Sequence, residues 1–173
     1  FMKWFELIRQ KYNCETVMLH TPYQGDGKIS QSMRDYVVKQ LKQTVIPAME
    51  RVSGVKFDID RLRQYMKESA KAEDDLVKVL QSAKNRPSPI DGYFGAVYYI
   101  GPIFTAFRGT PEATQYYDVL RQEIDARVRD KKGPITPEGE MAEEKYRLVV
   151  EGPPNWTSFR EFWNMFYDEG ALV

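Results

Sequence analysis

The chain of 173 residues is long enough for one domain with a substantial core, and its 25 Lys and Arg balance its 25 Asp and Glu. A zero net charge argues against a nucleic-acid-binding or anionic-membrane protein, because either partner normally requires a basic excess. The single cysteine excludes an internal disulfide, and one cysteine with one histidine cannot by themselves supply a four-ligand zinc or iron–sulfur site. Such sparse cysteine usage fits a reducing compartment, so we expect a cytoplasmic protein.

Residues 1–27 are predicted to form a helix, a strand and a loop. Phe1–Tyr12 carries apolar residues at helical spacing, and the apolar, partly β-branched run Thr16–Leu19 is typical of a buried strand. Thr21–Gly27 follows as a loop at the carboxyl end of that strand, where ligands bind in open α/β sheets. Tyr23 and Gln24 are therefore candidate substrate-binding residues, with ordinary turn chemistry as the alternative.

Cys14 and His20 flank the predicted strand. Cys14 has no second cysteine to pair with and is expected to be a small buried apolar residue. An imidazole titrates near neutrality, so His20 could pass a proton to a ligand; a hydrogen-bonded surface or packing histidine is the favoured interpretation.

Residues 28–143 are predicted to be a helical segment that ends in a linker. Helical periodicity extends from about Ser30 to Lys132, and Pro47 inside the first helix should kink or shorten it. Residues 132–143 contain two glycines and two prolines, a composition typical of a linker. The Glu143-Glu144 pair at its end is expected to be a solvated face.

Asp91–Phe107 is predicted to be an aromatic core helix. The most apolar run of the chain, Tyr93–Phe107, is shorter than the ~20 residues that span a bilayer and holds Gly101-Pro102, so no membrane span is expected. The next helix should begin at Thr110-Pro111-Glu112, which offers a cap, a proline at the first helical position and an acidic first turn.

Residues 144–173 show the order strand, tight loop, helix, strand. These elements are Tyr146–Val150, the proline-containing turn Gly152–Trp156, a helix with capping-box spacing at Ser158 and Glu161 and an end at Gly170, and Ala171–Val173. A βαβ unit belongs to a parallel sheet, which needs more strands than the chain still offers. We therefore expect both termini to be interior positions of a larger protein.

The fold class predicted from these regions is α/β with a large helical segment, in which incomplete Rossmann-like halves lie at both ends and a helical layer lies between them. The loop before the last helix places free backbone amides where an anion could bind, which makes Gly152, Asn155 and Trp156 further substrate-binding candidates. The alternative is a rigid turn with Trp156 packed into the core. As a hypothesis, this loop and the Tyr23–Gln24 loop face one cleft.

Six strings in this order resemble the catalytic subunits of the ATP-dependent benzoyl-CoA reductase and 2-hydroxyacyl-CoA dehydratase family. They are FMKWFEL (1–7), TPYQGDGK (21–28), VKFDIDRL (55–62), NRPSPID (85–91), FRGT (107–110) and KYRLVVEGPPNW (145–156). The resemblance covers essentially the whole chain, and the ordered set is far more specific than any single string.

The resemblance implies two related catalytic subunits, each with a [4Fe–4S] cluster, and a separate ATPase activator that delivers low-potential electrons. In the reductase branch, benzoyl-CoA is dearomatised by two electrons to a cyclic dienoyl-CoA. In the dehydratase branch, water is removed from a 2-hydroxyacyl-CoA through a ketyl radical. A non-catalytic helical scaffold or interaction module is the alternative outside the family.

The resemblance also implies that the cluster cysteines lie outside residues 1–173, and none of them matches Cys14. We therefore expect this segment to bind no cluster and to do no redox chemistry by itself. The contribution expected of it is a wall of the acyl-CoA site.

Overall fold

The computed structural model describes residues 2–25, 27–92, 101, 107–136, 139–140, 143–151 and 156–173. The helices are α1 (Met2–Tyr12), α2 (Gln31–Gln40), α3 (Ile46–Ser53), α4 (Ile59–Gln81), α5 (Pro111–Arg129) and α6 (Phe159–Asp168). The strands are β1 (Ile135–Thr136), β2 (Gly139–Glu140), β3 (Tyr146–Arg147) and β4 (Ala171–Leu172). The chain divides into two compact units, Phe1–Ile59 and Asp60–Val173. The boundaries of the predicted regions 1–27, 28–143 and 144–173 stay predictions.

In the first unit, α2 continues into α3 through a π-helical turn, Leu41–Val45. The Ser30 side chain caps α2 by accepting the Met33 N–H at 3.2 Å. This π-helical turn ends two residues before Pro47, which has no N–H to donate and lies in the first turn of α3. The sequence predicts that Pro47 kinks or shortens the helix; in the structure, the helix continues and the irregularity is the π-helical turn.

The strand predicted at Thr16–Leu19 is absent, and residues 14–24 have no regular secondary structure. Met18 is 61% exposed and Leu19 is 41% exposed, so the prediction of a buried strand is wrong for the chain as it stands. A strand needs a neighbour to pair its N–H and C=O groups. The described residues of the first unit contain no strand that could serve as that neighbour.

The second unit is organised around the packing of α4 against α5. Thr110 caps α5 by accepting the Ala113 N–H at 3.2 Å, with Pro111 in the first turn as the sequence predicts. Apolar side chains from both helices and from the turn after α4 form the core, which consists of Ala72, Leu76, Val79, Ile90, Tyr117 and Ile124. This core is the scaffold for the rest of the unit.

The predicted βαβ unit is confirmed. Strand β3 pairs in parallel with β4, with Tyr146 opposite Ala171 and Arg147 opposite Leu172. Helix α6 connects them and buries Trp163, and it ends before Gly170, whose φ of 71° suits the left-handed position after a helix. Ser158 is the N-cap residue but its side chain makes no capping hydrogen bond, so the capping-box geometry is not formed.

Residues 135–140, predicted to be linker, contain a short antiparallel pair in which Ile135 lies opposite Glu140. The β-branched Ile135 and Thr136 favour strand geometry. The Asp91–Phe107 helix prediction lies outside the described residues apart from its ends and Gly101. Each helix in the described part of the chain is too short or too polar to cross a bilayer.

Two glycines with positive φ differ in what surrounds them. Gly109 (φ 78°) lies against α4, and a Cβ there would be 2.9 Å from the Tyr65 carbonyl oxygen; at Gly54 (φ 70°) a Cβ would meet nothing within 4 Å. We expect Gly54→Ala to cost about 1–2 kcal/mol from the left-handed backbone alone. Gly109→Ala should cost at least about 1 kcal/mol more, because backbone must also move. Urea titration of the full-length subunit measures both, and equal costs would contradict the close approach.

The turn after α3 depends on one carboxylate. Glu50 accepts the Phe57 N–H at 2.9 Å and pairs with Lys56 Nζ at 3.0 Å. The backbone hydrogen bond from Phe57, followed by the Lys56 bond, lowers the pKa of Glu50 below its usual 4.5.

A lowered folded-state pKa means that Glu50 stabilises the fold fully above pH 4.5 and loses this effect as pH falls through the folded-state value. We expect Glu50→Gln to destabilise at neutral pH, and the difference from wild type to shrink as the solution is acidified below pH ~4.5. Urea midpoints across this range measure the difference. A gap that widens on acidification would show that the sign is wrong.

Candidate functional site

Tyr23 and Gln24 lie on an irregular loop of the first unit, and the structure presents them differently. The Tyr23 side chain is 92% exposed. Gln24 is half-buried and its Nε2 donates to the Met33 sulfur on α2 at 3.3 Å. The loop therefore displays an aromatic ring next to an anchored amide.

The start of the same loop is held at His20. Gln40 Nε2 donates to the His20 carbonyl oxygen at 2.9 Å, and Gln40 Oε1 accepts the His20 N–H at 3.0 Å. The Tyr36 hydroxyl is 3.2 Å from His20 Nδ1, and the two rings meet edge to face with centroids 5.8 Å apart. The favoured interpretation of His20, a hydrogen-bonded surface residue, is confirmed.

The second candidate loop is described only at its end. Gly152 and Asn155 lie outside the described residues, and Trp156 opens a short 3₁₀ turn, Trp156–Ser158, directly before α6. This loop belongs to the second unit and the Tyr23–Gln24 loop to the first. The shared cleft therefore stays a prediction.

Sequence reasoning missed a polar cluster that joins β3 to the turn after α4. The Glu144 side chain is only 4% exposed, so the prediction of a solvated face is wrong for this residue. Its Oε1 accepts from Arg147 Nε at 2.8 Å and its Oε2 accepts the Ser88 N–H at 2.9 Å. Arg147 also donates to the carbonyl oxygens of Ala83 at 2.7 Å and Asn85 at 2.8 Å.

The spacing of Glu144 and Arg147 is the signal available in the sequence. Opposite charges three residues apart at the start of a short strand can form a local ion pair. The Arg147 partners Ala83 and Asn85 are 64 and 62 positions away in the chain, and the Glu144 partner Ser88 is 56 positions away. No local pattern indicates these contacts.

Two further contacts close the second unit around the βαβ element. The Gly92 N–H donates to the Val173 carbonyl oxygen at 2.6 Å, which extends β4 toward the residues after the α4 turn. The Tyr167 hydroxyl donates to the carboxylate of Asp91, a residue that is almost fully buried. Together with the Arg147 contacts, they attach β4 and α6 to the residues that follow α4.

The residues of this chain do not fit a [4Fe–4S] cluster. The protein has a single cysteine, Cys14, whereas such clusters are held by several thiolates. Cys14 is exposed, contrary to the expectation that it is buried, and its Sγ lies 3.9 Å from the Ile8 carbonyl oxygen. Within the described ranges, no group of three or more His, Cys, Asp or Glu is placed to hold a metal ion.

Comparison with known proteins gives a consistent family. The family model described as 2-hydroxyglutaryl-CoA dehydratase, D-component, matches residues 1–173. The chain is 76% identical over its whole length to a subunit of the benzoyl-CoA reductase of Thauera aromatica, and it covers 40% of that subunit. It is 32% identical over 90% of its length to the (R)-2-hydroxyisocaproyl-CoA dehydratase alpha subunit of Clostridioides difficile, covering 36% of that protein.

A third relative is the alpha subunit of (R)-2-hydroxyglutaryl-CoA dehydratase from Acidaminococcus fermentans, 29% identical over 89% of the chain. The chain covers 31% of that protein. It therefore spans between about a third and two fifths of the length of the curated relatives it matches.

We expect Arg147→Met to destabilise the second unit by about 2–3 kcal/mol. The substitution removes three hydrogen bonds from a charged donor and leaves Glu144 buried with fewer partners. Arg63→Met is the matched control, because the Arg63–Asp60 pair is exposed on both sides and should cost at most about 1 kcal/mol. Urea unfolding of the full-length subunit compares them, and similar costs would show that the cluster does not hold β3.

Proposed function

Because the chain belongs to the family of 2-hydroxyglutaryl-CoA dehydratase D-components, we propose that it is a segment of the catalytic subunit of a benzoyl-CoA reductase. The reaction is the ATP-dependent, two-electron dearomatisation of benzoyl-CoA to a cyclic dienoyl-CoA. The observation that carries this choice is the 76% identity, over all 173 residues of the chain, to a protein named as a benzoyl-CoA reductase subunit. Identity to the relatives named as dehydratases is 32% or lower.

The second candidate is a 2-hydroxyacyl-CoA dehydratase subunit. The name of the matching family model and the names of three relatives favour it. Both candidates act on acyl-CoA thioesters, so the family alone supports the thioester class and the difference in identity supports the aromatic acyl group.

The cofactor and partners belong to the same proposal. The intact subunit is proposed to hold a [4Fe–4S] cluster through cysteines outside this segment and to work in the cytoplasm with a second catalytic subunit and an ATPase activator. The two Rossmann-like halves with helices between them are also proposed for the intact subunit. The parallel pairing of β3 with β4 supports that architecture at one end of the chain.

This chain's own residues are proposed to form a wall of the acyl-CoA site. Tyr23 offers an exposed, flat aromatic surface for stacking on the benzoyl or the adenine ring. Gln24 lies beside it and is anchored to α2 through the Met33 sulfur. Gly152, Asn155 and Trp156 precede α6 in the sequence and are also proposed to bind the substrate. Asn155 and the amides after it are the groups proposed for the anionic phosphates of coenzyme A.

The reaction is tested on the assembled complex of full-length subunits with its activator, ATP and a low-potential reductant. We expect consumption of benzoyl-CoA with formation of a cyclic dienoyl-CoA, and no dehydration of 2-hydroxyacyl-CoA thioesters. Dehydration of a 2-hydroxyacyl-CoA thioester without consumption of benzoyl-CoA would instead assign the chain to the dehydratase branch. An intact subunit free of iron would instead favour the non-catalytic scaffold.

The substrate contact is tested by Tyr23→Ala in the same complex. We expect the KM for benzoyl-CoA to rise by about tenfold, because stacking on an aromatic side chain is worth about 1–3 kcal/mol. Tyr12→Ala is the control, since Tyr12 is an exposed tyrosine of the same unit at the end of α1. An unchanged KM in Tyr23→Ala would remove this residue from the site.

A further inference from the structure

We propose that Gln40 and Tyr36 of α2 are positioning residues for the loop that carries Tyr23. They fix the loop at His20 so that the Tyr23 ring is held in place before the acyl-CoA arrives. This inference rests on the proposed contact between Tyr23 and the substrate, and hydrogen exchange combined with kinetics separates the two.

The Gln40 carboxamide takes the place of a neighbouring strand. Its Oε1 and Nε2 bond the N–H and the C=O of the single residue His20, at 3.0 and 2.9 Å. This is the two-way exchange that a residue makes with its partner in an antiparallel ladder. It satisfies backbone groups of an irregular segment, residues 14–24, that has no strand partner in the described residues of this unit.

The contacts come from one face of α2. Met33, Tyr36 and Gln40 are three and four residues apart, so their side chains lie along the same side of the helix. Gln40 holds the His20 backbone, Tyr36 contacts the His20 ring, and Met33 receives the Gln24 amide at 3.3 Å. The loop is thus attached to α2 on both sides of Tyr23, at His20 and at Gln24.

Tyr23 lies between the two attachments and its ring remains 92% exposed. An aromatic ring that is exposed to water does not stabilise the fold. A ring whose position is already fixed, however, loses less conformational entropy when it binds a flat ligand. A residue that acts in this way alters ground-state and transition-state binding together. Its loss therefore raises KM and leaves kcat nearly unchanged.

The test uses the full-length subunit in its complex and begins with hydrogen–deuterium exchange at the His20 amide. In Gln40→Leu, which removes both amide bonds, we expect this amide to exchange roughly 2- to 12-fold faster, the range that corresponds to one hydrogen bond of ordinary net strength. Gln40→Glu keeps an acceptor for the His20 N–H and should restore part of the protection. Gln43→Leu, an exposed glutamine of the π-helical turn, is the matched control and should match wild type.

Kinetics complete the test. We expect Gln40→Leu to raise the KM for benzoyl-CoA several-fold with kcat within about twofold, Tyr36→Phe to do so more weakly, and Gln40→Glu to recover part of the loss. Unchanged His20 exchange in Gln40→Leu overturns the proposal, and so does faster exchange with an unchanged KM. If Tyr23→Ala leaves KM unchanged while the Gln40 variants raise it, the proposed Tyr23 contact fails but the positioning role of α2 stands for another residue of the loop.

Discussion

The contact between the buried carboxylate of Glu144 and the guanidinium of Arg147 attaches the βαβ element to the α4–α5 core of the second unit. Strands β3 and β4 are only two residues long each, and so short a pair is not stable in water without further packing. Arg147 supplies that support, because its guanidinium donates hydrogen bonds to the carbonyl oxygens of Ala83 and Asn85, which follow α4. The bond from Gly92 to Val173 and the Tyr167–Asp91 contact complete the attachment. The position of α6 in the second unit follows from these polar contacts together with the burial of Trp163.

Features encoded by neighbouring residues could be predicted from the sequence. The cap at Thr110 with Pro111 behind it, the left-handed end at Gly170 and the βαβ order of the last thirty residues all appear where the pattern places them. The helix cap and the helix end depend on the conformational preferences of residues within one turn, so the residue types alone indicate them.

Features that depend on a partner far away in the chain could not be predicted from the sequence. Thr16–Leu19 has the composition of a strand, yet composition supplies no neighbour to pair with, and the segment is instead fastened at its end by a side chain of α2. From the sequence, Glu144 is expected to be a surface charge, but in the structure its carboxylate is bound by Arg147 and by the Ser88 N–H. The same reason limits the candidate site. Loop chemistry makes Tyr23 and Gln24 candidates, but the contact between Gln40 and His20 joins residues twenty positions apart and has no local signal.

The π-helical turn at Leu41–Val45 has a consequence for the helix that follows it. Its hydrogen bond from Ile46 to Leu41 spans five residues, so the turn contains more chain than an α-helical one. One extra residue rotates all that comes after it by about 100° around the helix axis. α2 can therefore face the His20–Gln24 loop while α3 presents a different side, from which Arg51 reaches Glu15. Without that residue, α3 would be rotated back by the same angle, and the contacts of α2 with the loop and of Arg51 with Glu15 could not both form.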